Sequence, residues 1–178
     1  PKEALPVLEA NLALCRRYWS HDEDVILIAQ NALANCLYDL GREDEALDLQ
    51  RKMHASWVTM HGADYQESLV AANNIIFALV KNGSKFDEAR AFGREQVALA
   101  RRALGADNSL TLSIEQGNAR SQWKDPDATR ETLRAVAKTL QDLIRRQRRV
   151  LGANHPELLE TQQDLSELEA RLASLDGA

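Results

Sequence analysis

Met60-His61-Gly62-Ala63-Asp64 returns as Ala103-Leu104-Gly105-Ala106-Asp107 and again as Val150-Leu151-Gly152-Ala153-Asn154. A corner that recurs in this way marks a stacked array, because each copy closes one structural unit and opens the next. Between the corners a second pattern repeats: Gly41-Arg42-Glu43-Asp44-Glu45-Ala46-Leu47 matches Gly83-Ser84-Lys85-Phe86-Asp87-Glu88-Ala89 with one inserted residue. The glycines of this second pattern lie 42 residues apart and the first two corners 43. Two interleaved corners per period mean two helices per period, so the expected fold is all-α: a right-handed superhelical solenoid of antiparallel helix pairs, about seven helices.

Composition agrees. With 44% hydrophobic residues in 178 the chain can bury a sizeable core, and its scarcity of aromatics, glycine and proline suits helices. A net charge of −5 argues against a dedicated nucleic-acid or anionic-membrane surface, since phosphate binding needs an excess of Lys and Arg. No apolar run approaches the roughly 18 to 20 residues of a membrane span, and no signal segment opens the chain. The expectation is a soluble, intracellular, cytoplasmic protein. Cys15 and Cys36 sit in helical apolar stretches without CxxC or Cys/His clustering, which makes them small core residues.

Apolar spacing divides a single repeat domain, 1–178, into segments. Residues 1–19 form a leading helix with Leu5, Leu8, Leu12 and Cys15 on one stripe; lacking a partner before it, it is expected to continue a longer array. Repeat 1 (20–61) pairs helices over 24–40 and 43–60, with Gly41 supplying the left-handed conformation that ends the first. Repeat 2 (62–104) pairs 65–82 with 86–104. Repeat 3 (105–151) is divergent, pairing 108–124 with 127–151, where Asp125-Pro126-Asp127 is expected to stop one helix and start the next. Gly105 to Gly152 spans 47 residues, and the excess over the other periods is assigned to one extra turn in the helix ending at Leu151. A further helix fills 152–178, capped at Asn154-His155-Pro156-Glu157. Ala46 and Ala89 fall where each second helix crosses the first, so their small side chains are expected to let the backbones approach.

Three elements resemble the tetratricopeptide repeats of the kinesin light chain type: Leu151-Gly152-Ala153-Asn154-His155-Pro156, Asn73-Asn74-Ile75-Ile76 and Asp44-Glu45-Ala46. The resemblance covers residue 20 to the C-terminus. The third unit departs from the pattern, with Gln116-Gly117-Asn118-Ala119 in place of the paired asparagines. The resemblance implies a helical-repeat scaffold that binds other proteins.

Stacking aligns the first helices of the pairs, so equivalent residues form ladders on the concave face. Counting from the turns places Asn31, Asn73, Gln116 and Gln163 on one rung. A carboxamide both donates and accepts, as an extended peptide backbone requires. One turn on lie Asn35, Phe77, Arg120 and Glu167, then Tyr38, Val80, Trp123 and Ala170. The candidate peptide-binding residues are therefore Asn31, Asn35, Tyr38, Asn73, Phe77, Gln116, Arg120, Trp123 and Gln163. The other reading of the asparagines is that they bond neighbouring helices and hold the stack.

The run Arg145-Arg146-Gln147-Arg148-Arg149 could bind an acidic partner, but the acid-rich last helix is expected to fold back beside it and compensate its charge. His21, His54, His61 and His155 show no metal-ligand spacing, and no nucleophile elbow, phosphate loop or dinucleotide fingerprint is present. No catalytic residue, metal or cofactor is expected, and the chain is not read as an enzyme. The expected partner is a protein or peptide in the concave groove, not nucleic acid or membrane. The alternatives are a structural segment self-associating through exposed terminal helices, Val7 and Leu14 among its apolar residues, and a regulatory adaptor for an enzyme elsewhere in a longer chain.

Overall fold

The computed structural model describes residues 2–176, and over them every regular element is an α-helix. The helices are α1 (Ala4–Tyr18), α2 (Glu23–Asp39), α3 (Glu43–His61), α4 (Gln66–Asn82), α5 (Phe86–Leu104), α6 (Ser109–Trp123), α7 (Arg130–Leu151) and α8 (Pro156–Asp176), one more than the approximate sequence count. Pro1, Gly177 and Ala178, which belong to the expected 1–19 and 152–178 segments, lie outside the described residues. Contacts divide the chain into two compact units, Pro1–Ala78 and Leu79–Ala178, with α4 contributing to both.

Unit 1 is built on short, locally specified helices. Asp22 accepts a hydrogen bond from the Val25 N–H (3.3 Å) and so starts α2. The acidic first turn of α3, Glu43-Asp44-Glu45, complements the positive end of its dipole. Leu12 and Cys15 of α1 pack on Ala29 of α2, confirming Cys15 as a core thiol; Cys36 is buried too. A second cluster joins Leu27 of α2, Met53 and Trp57 of α3, and Ala71 of α4. Ala46 of α3 and, in unit 2, Ala89 of α5 have no exposure at all.

Unit 2 is centred on α6, of which residues 111–117 are all buried. Leu112, Ala119 and Trp123 of α6 meet Leu133, Val136, Leu140 and Leu143 of α7 and Leu168 of α8. Helix α5 reaches α6 closely at Gly93, where a Cβ would lie 2.8 Å from Asn118 Oδ1 and 3.2 Å from its Cβ. The long second helix of repeat 3 is present: α7 has 22 residues against 19 in α3 and α5.

That helix starts at Arg130, not at 127. Asp125 instead folds the connection, its Oδ1 accepting from the Asp127 N–H at 2.9 Å, and Thr129 is the N-cap, accepting from Thr132 N–H at 3.1 Å. Two cations replace the glycine of the other turns. Arg90 of α5 donates to Asp125 Oδ2, and Arg171 of α8 donates to the carbonyls of Trp123 (2.5 Å), Asp125 (2.8 Å) and Pro126 (2.8 Å).

The repeated corners share one backbone geometry. Gly62, Gly105 and Gly152 stand at φ +98°, +89° and +91° with ψ 162°, 158° and 164°, a region closed to residues with a Cβ. Their identity is therefore dictated by the chain's change of direction.

Candidate functional site

In unit 1, residues 28, 31, 35 and 38 recur at three- and four-residue steps and form a stripe on α2. Ile28 is 65% exposed and Asn35 is exposed, while Asn31 and Tyr38 are half-buried. Opposite them α4 offers Glu67, Val70 (37% exposed) and the half-buried Asn73, Asn74 and Phe77. A cleft of about 90 Å³ opens here, lined by Leu27, Ile28, Asn31, Met53, Trp57, Glu67, Val70 and Ala71. Its inner surface is the buried α2–α3–α4 cluster, and its rim is polar. Trp57, His61 and Tyr65 stack beside it, the last two at 4.5 Å between ring centres, and His61 Nε2 lies 3.2 Å from Asp24 Oδ1. Desolvation, with the Glu67 carboxylate next in weight, raises the Tyr65 phenol above its ordinary value.

Asn31 has a bonded partner on α4: Asn74 Nδ2 donates to Asn31 Oδ1 at 3.3 Å, and Asn73, the residue expected on its rung, stands next to Asn74 in the chain. Helices α2 and α4 start 43 residues apart, as do α3 and α5, whereas Gly41 and Gly83 are 42 apart. The glycine alone has moved one place nearer its helix end, and counting from it turns the register by one residue, about 100° around the helix.

Unit 2 uses its share of the expected residues differently. Gln116, 1% exposed, lies 3.4 Å from Asp164 Oδ2 of α8, which stands one residue beyond the expected Gln163. Arg120 pairs with Asp164 (2.5 Å) and Glu160 (3.2 Å). Burial pushes the Asp164 carboxyl above its ordinary pKa, against the downward pull of Arg120. Trp123, 6% exposed, belongs to the core, with the Lys124 ammonium 5.1 Å from its ring centre. Gln163 is exposed and donates to Glu167 at 2.8 Å. Gln116 and Trp123 thus offer no open face, because α7 and α8 close over them, and the Arg120 charge is already met.

The basic run is compensated in part, and by residues outside α8. Arg146 bonds Glu115 of α6 (2.6 Å) and Asp107 (3.2 Å), Arg149 bonds Asp107 (2.5 Å), and Arg145 bonds Asp142 within α7 (3.0 Å). Helix α7 turns its apolar face to α6 and α8, which carries these arginines round to the α5–α6 corner. Sequence reasoning passed over Ile28, Val70, Glu115 and Arg171, and it named Asn74 only as part of a repeat motif. Ile28 was within reach, since the stripe through Asn31, Asn35 and Tyr38 runs one turn back to it.

Residues 26–64 match the tetratricopeptide repeat family. The chain is also similar to two crystal structures of the nearly identical TPR-like repeats of a candidate kinesin light chain from Podosopora anserina. One covers 97% of this chain and 85% of that one with a TM-score of 0.71 at 19% identity. The other covers 98% and 86% with a TM-score of 0.69, also at 19% identity. No curated protein matches significantly. The fold is that of a tetratricopeptide repeat array of the kinesin light chain type. Repeats of this family generally mediate protein–protein interaction, and among the described residues no helix is long and apolar enough to cross a membrane.

Proposed function

We propose that the chain is a non-catalytic protein-interaction module whose unit 1 seats a peptide or helix on the α2–α4 face. The observation that carries this reading is the cleft beneath Ile28 and Val70, apolar inside and edged by Asn31 and Glu67. At about 90 Å³ it is far smaller than the roughly 300 to 1,000 Å³ of a small-molecule pocket, but it suits one aliphatic side chain. Burying such an anchor contributes about 1.5 to 3 kcal/mol. The exposed Asn35 amide extends the contact toward a ligand's backbone, and the Asn31–Asn74 bond holds the two helices that flank the cleft.

The test begins with peptides selected from a random displayed library and titrated by fluorescence anisotropy. Ile28→Ser plus Val70→Ser should weaken the selected peptide by about tenfold or more, equivalent to about 1.4 kcal/mol, without lowering the melting temperature. Equal affinity of a folded double variant would remove the cleft from the account.

A second reading is favoured by α1, which carries exposed Val7 (66%), Leu14 (50%) and Tyr18 (58%) on the side flanking its buried stripe. Such a helix suits self-association. Light scattering across a concentration series tests it, and a constant monomer mass would exclude it.

A further inference from the structure

We infer that the C-terminal turns of α5 and α7 form a second docking surface in unit 2, for an acidic segment of a partner protein. Arg101 and Arg102 close α5, and Arg148 and Arg149 close α7. Glu115, 5% exposed, ties the two helix ends together by accepting from Arg101 Nε (2.7 Å) and Arg146 Nη1 (2.6 Å). Asp107, in the corner after α5, holds the end of α7 at the rim by accepting from Arg146 and Arg149. These carboxylates fix the floor of the surface and leave its outer cations over. Arg102 and Arg148 are exposed and have no ion-pair partner among the described residues. The side chains of Arg145 and Arg149 are 77% and 66% exposed, and each keeps donors beyond its single pair.

In a chain of net charge −5, arginines here outnumber the acids they touch. Cations near a helix C-terminus are favoured by the dipole, but the effect is modest and fades within one turn. Arg145 lies beyond that turn. The dominance of arginine points to planar, bidentate recognition of carboxylates. The negative charge of the rest of the chain disfavours a long polyanion such as nucleic acid, whereas a short acidic segment can bind without crossing it. This surface is separate from the α2–α4 cleft and independent of it.

The probe is a fluorescein-labelled oligoglutamate peptide, titrated by anisotropy at low and at moderate salt. Saturable binding that weakens with salt is expected, and Arg102→Glu plus Arg148→Glu should lower the affinity by about tenfold or more. Arg16→Glu plus Arg17→Glu makes the same change of net charge on α1 and should leave most of the binding intact, as should Ile28→Ser plus Val70→Ser. Absence of saturable binding, equal loss in the two charge-reversed variants, or tighter binding of duplex DNA than of the peptide would each overturn the assignment.

Discussion

Glu115 shows what a single residue contributes here and why its role was hard to read. The sequence displays four arginines in five residues of α7 and an acid-rich helix after them, but charge alone does not say which way a helix face turns. The buried Glu115, placed on α6 by its helical period, is the partner that orders them. Arg146→Met leaves the buried Glu115 with Arg101 as its remaining cation, so it should cost about 1 to 3 kcal/mol in urea denaturation, more than Glu115→Gln. Asp125 supplies a pH dependence. The Arg90 guanidinium, foremost, holds its carboxyl below the ordinary value of 3.8, despite partial burial. A depressed folded pKa contributes stability that is fully present above the unfolded value and is lost as pH falls through the folded one. Stability measured from about pH 5 down to pH 2 should therefore decline, and Asp125→Asn should flatten that decline. An unchanged slope would remove Asp125 as a contributor.

At the scale of the element, most boundaries were legible because backbone demands them. The corner glycines occupy a region that side chains exclude, and within the expected Asn154-His155-Pro156-Glu157 cap the His155 Nδ1 accepts from Glu157 N–H at 3.3 Å, whereas the Asp22 cap of α2 was not foreseen. What misled was treating glycine as a fixed ruler. Gly83 stands one place nearer its helix end than Gly41 does, so counting from the glycine pairs Asn31 with Asn73 and counting from the helix start pairs it with Asn74. The α6–α7 turn misled differently, because proline at 126 invites a helix start that Asp125 and Thr129 postpone. Close packing of α5 on α6 is a firm constraint. Gly93→Val would gain helix propensity over glycine but drive a branched side chain into Asn118, so a net loss of about 1 to 3 kcal/mol is expected in thermal or urea unfolding. A more stable variant would mean that the two helices separate easily there.

For the whole molecule, the period announced the array and the solved repeats it resembles share its fold, so architecture was available from the chain alone. Function was only partly so, because a ladder position says which residues are equivalent and not which remain open. Gln116 and Trp123 match the ladder yet lie inside unit 2, while Ile28 and Val70, unremarked among other aliphatics, stand at the surface of unit 1. Packing of neighbouring helices made that selection, and it depends on α8 lying over α6. Arg171 holds α8 to three carbonyls of the α6–α7 connection, so Arg171→Met should speed amide exchange throughout α8 while leaving α1 unchanged. The central claim is that unit 1 presents an anchor seat between α2 and α4. An NMR titration of the selected peptide into isotope-labelled protein tests it most directly. Saturating shift changes concentrated at residues 27–35 and 67–74 are predicted; changes confined to other helices, or absent at Ile28 and Val70, would contradict it.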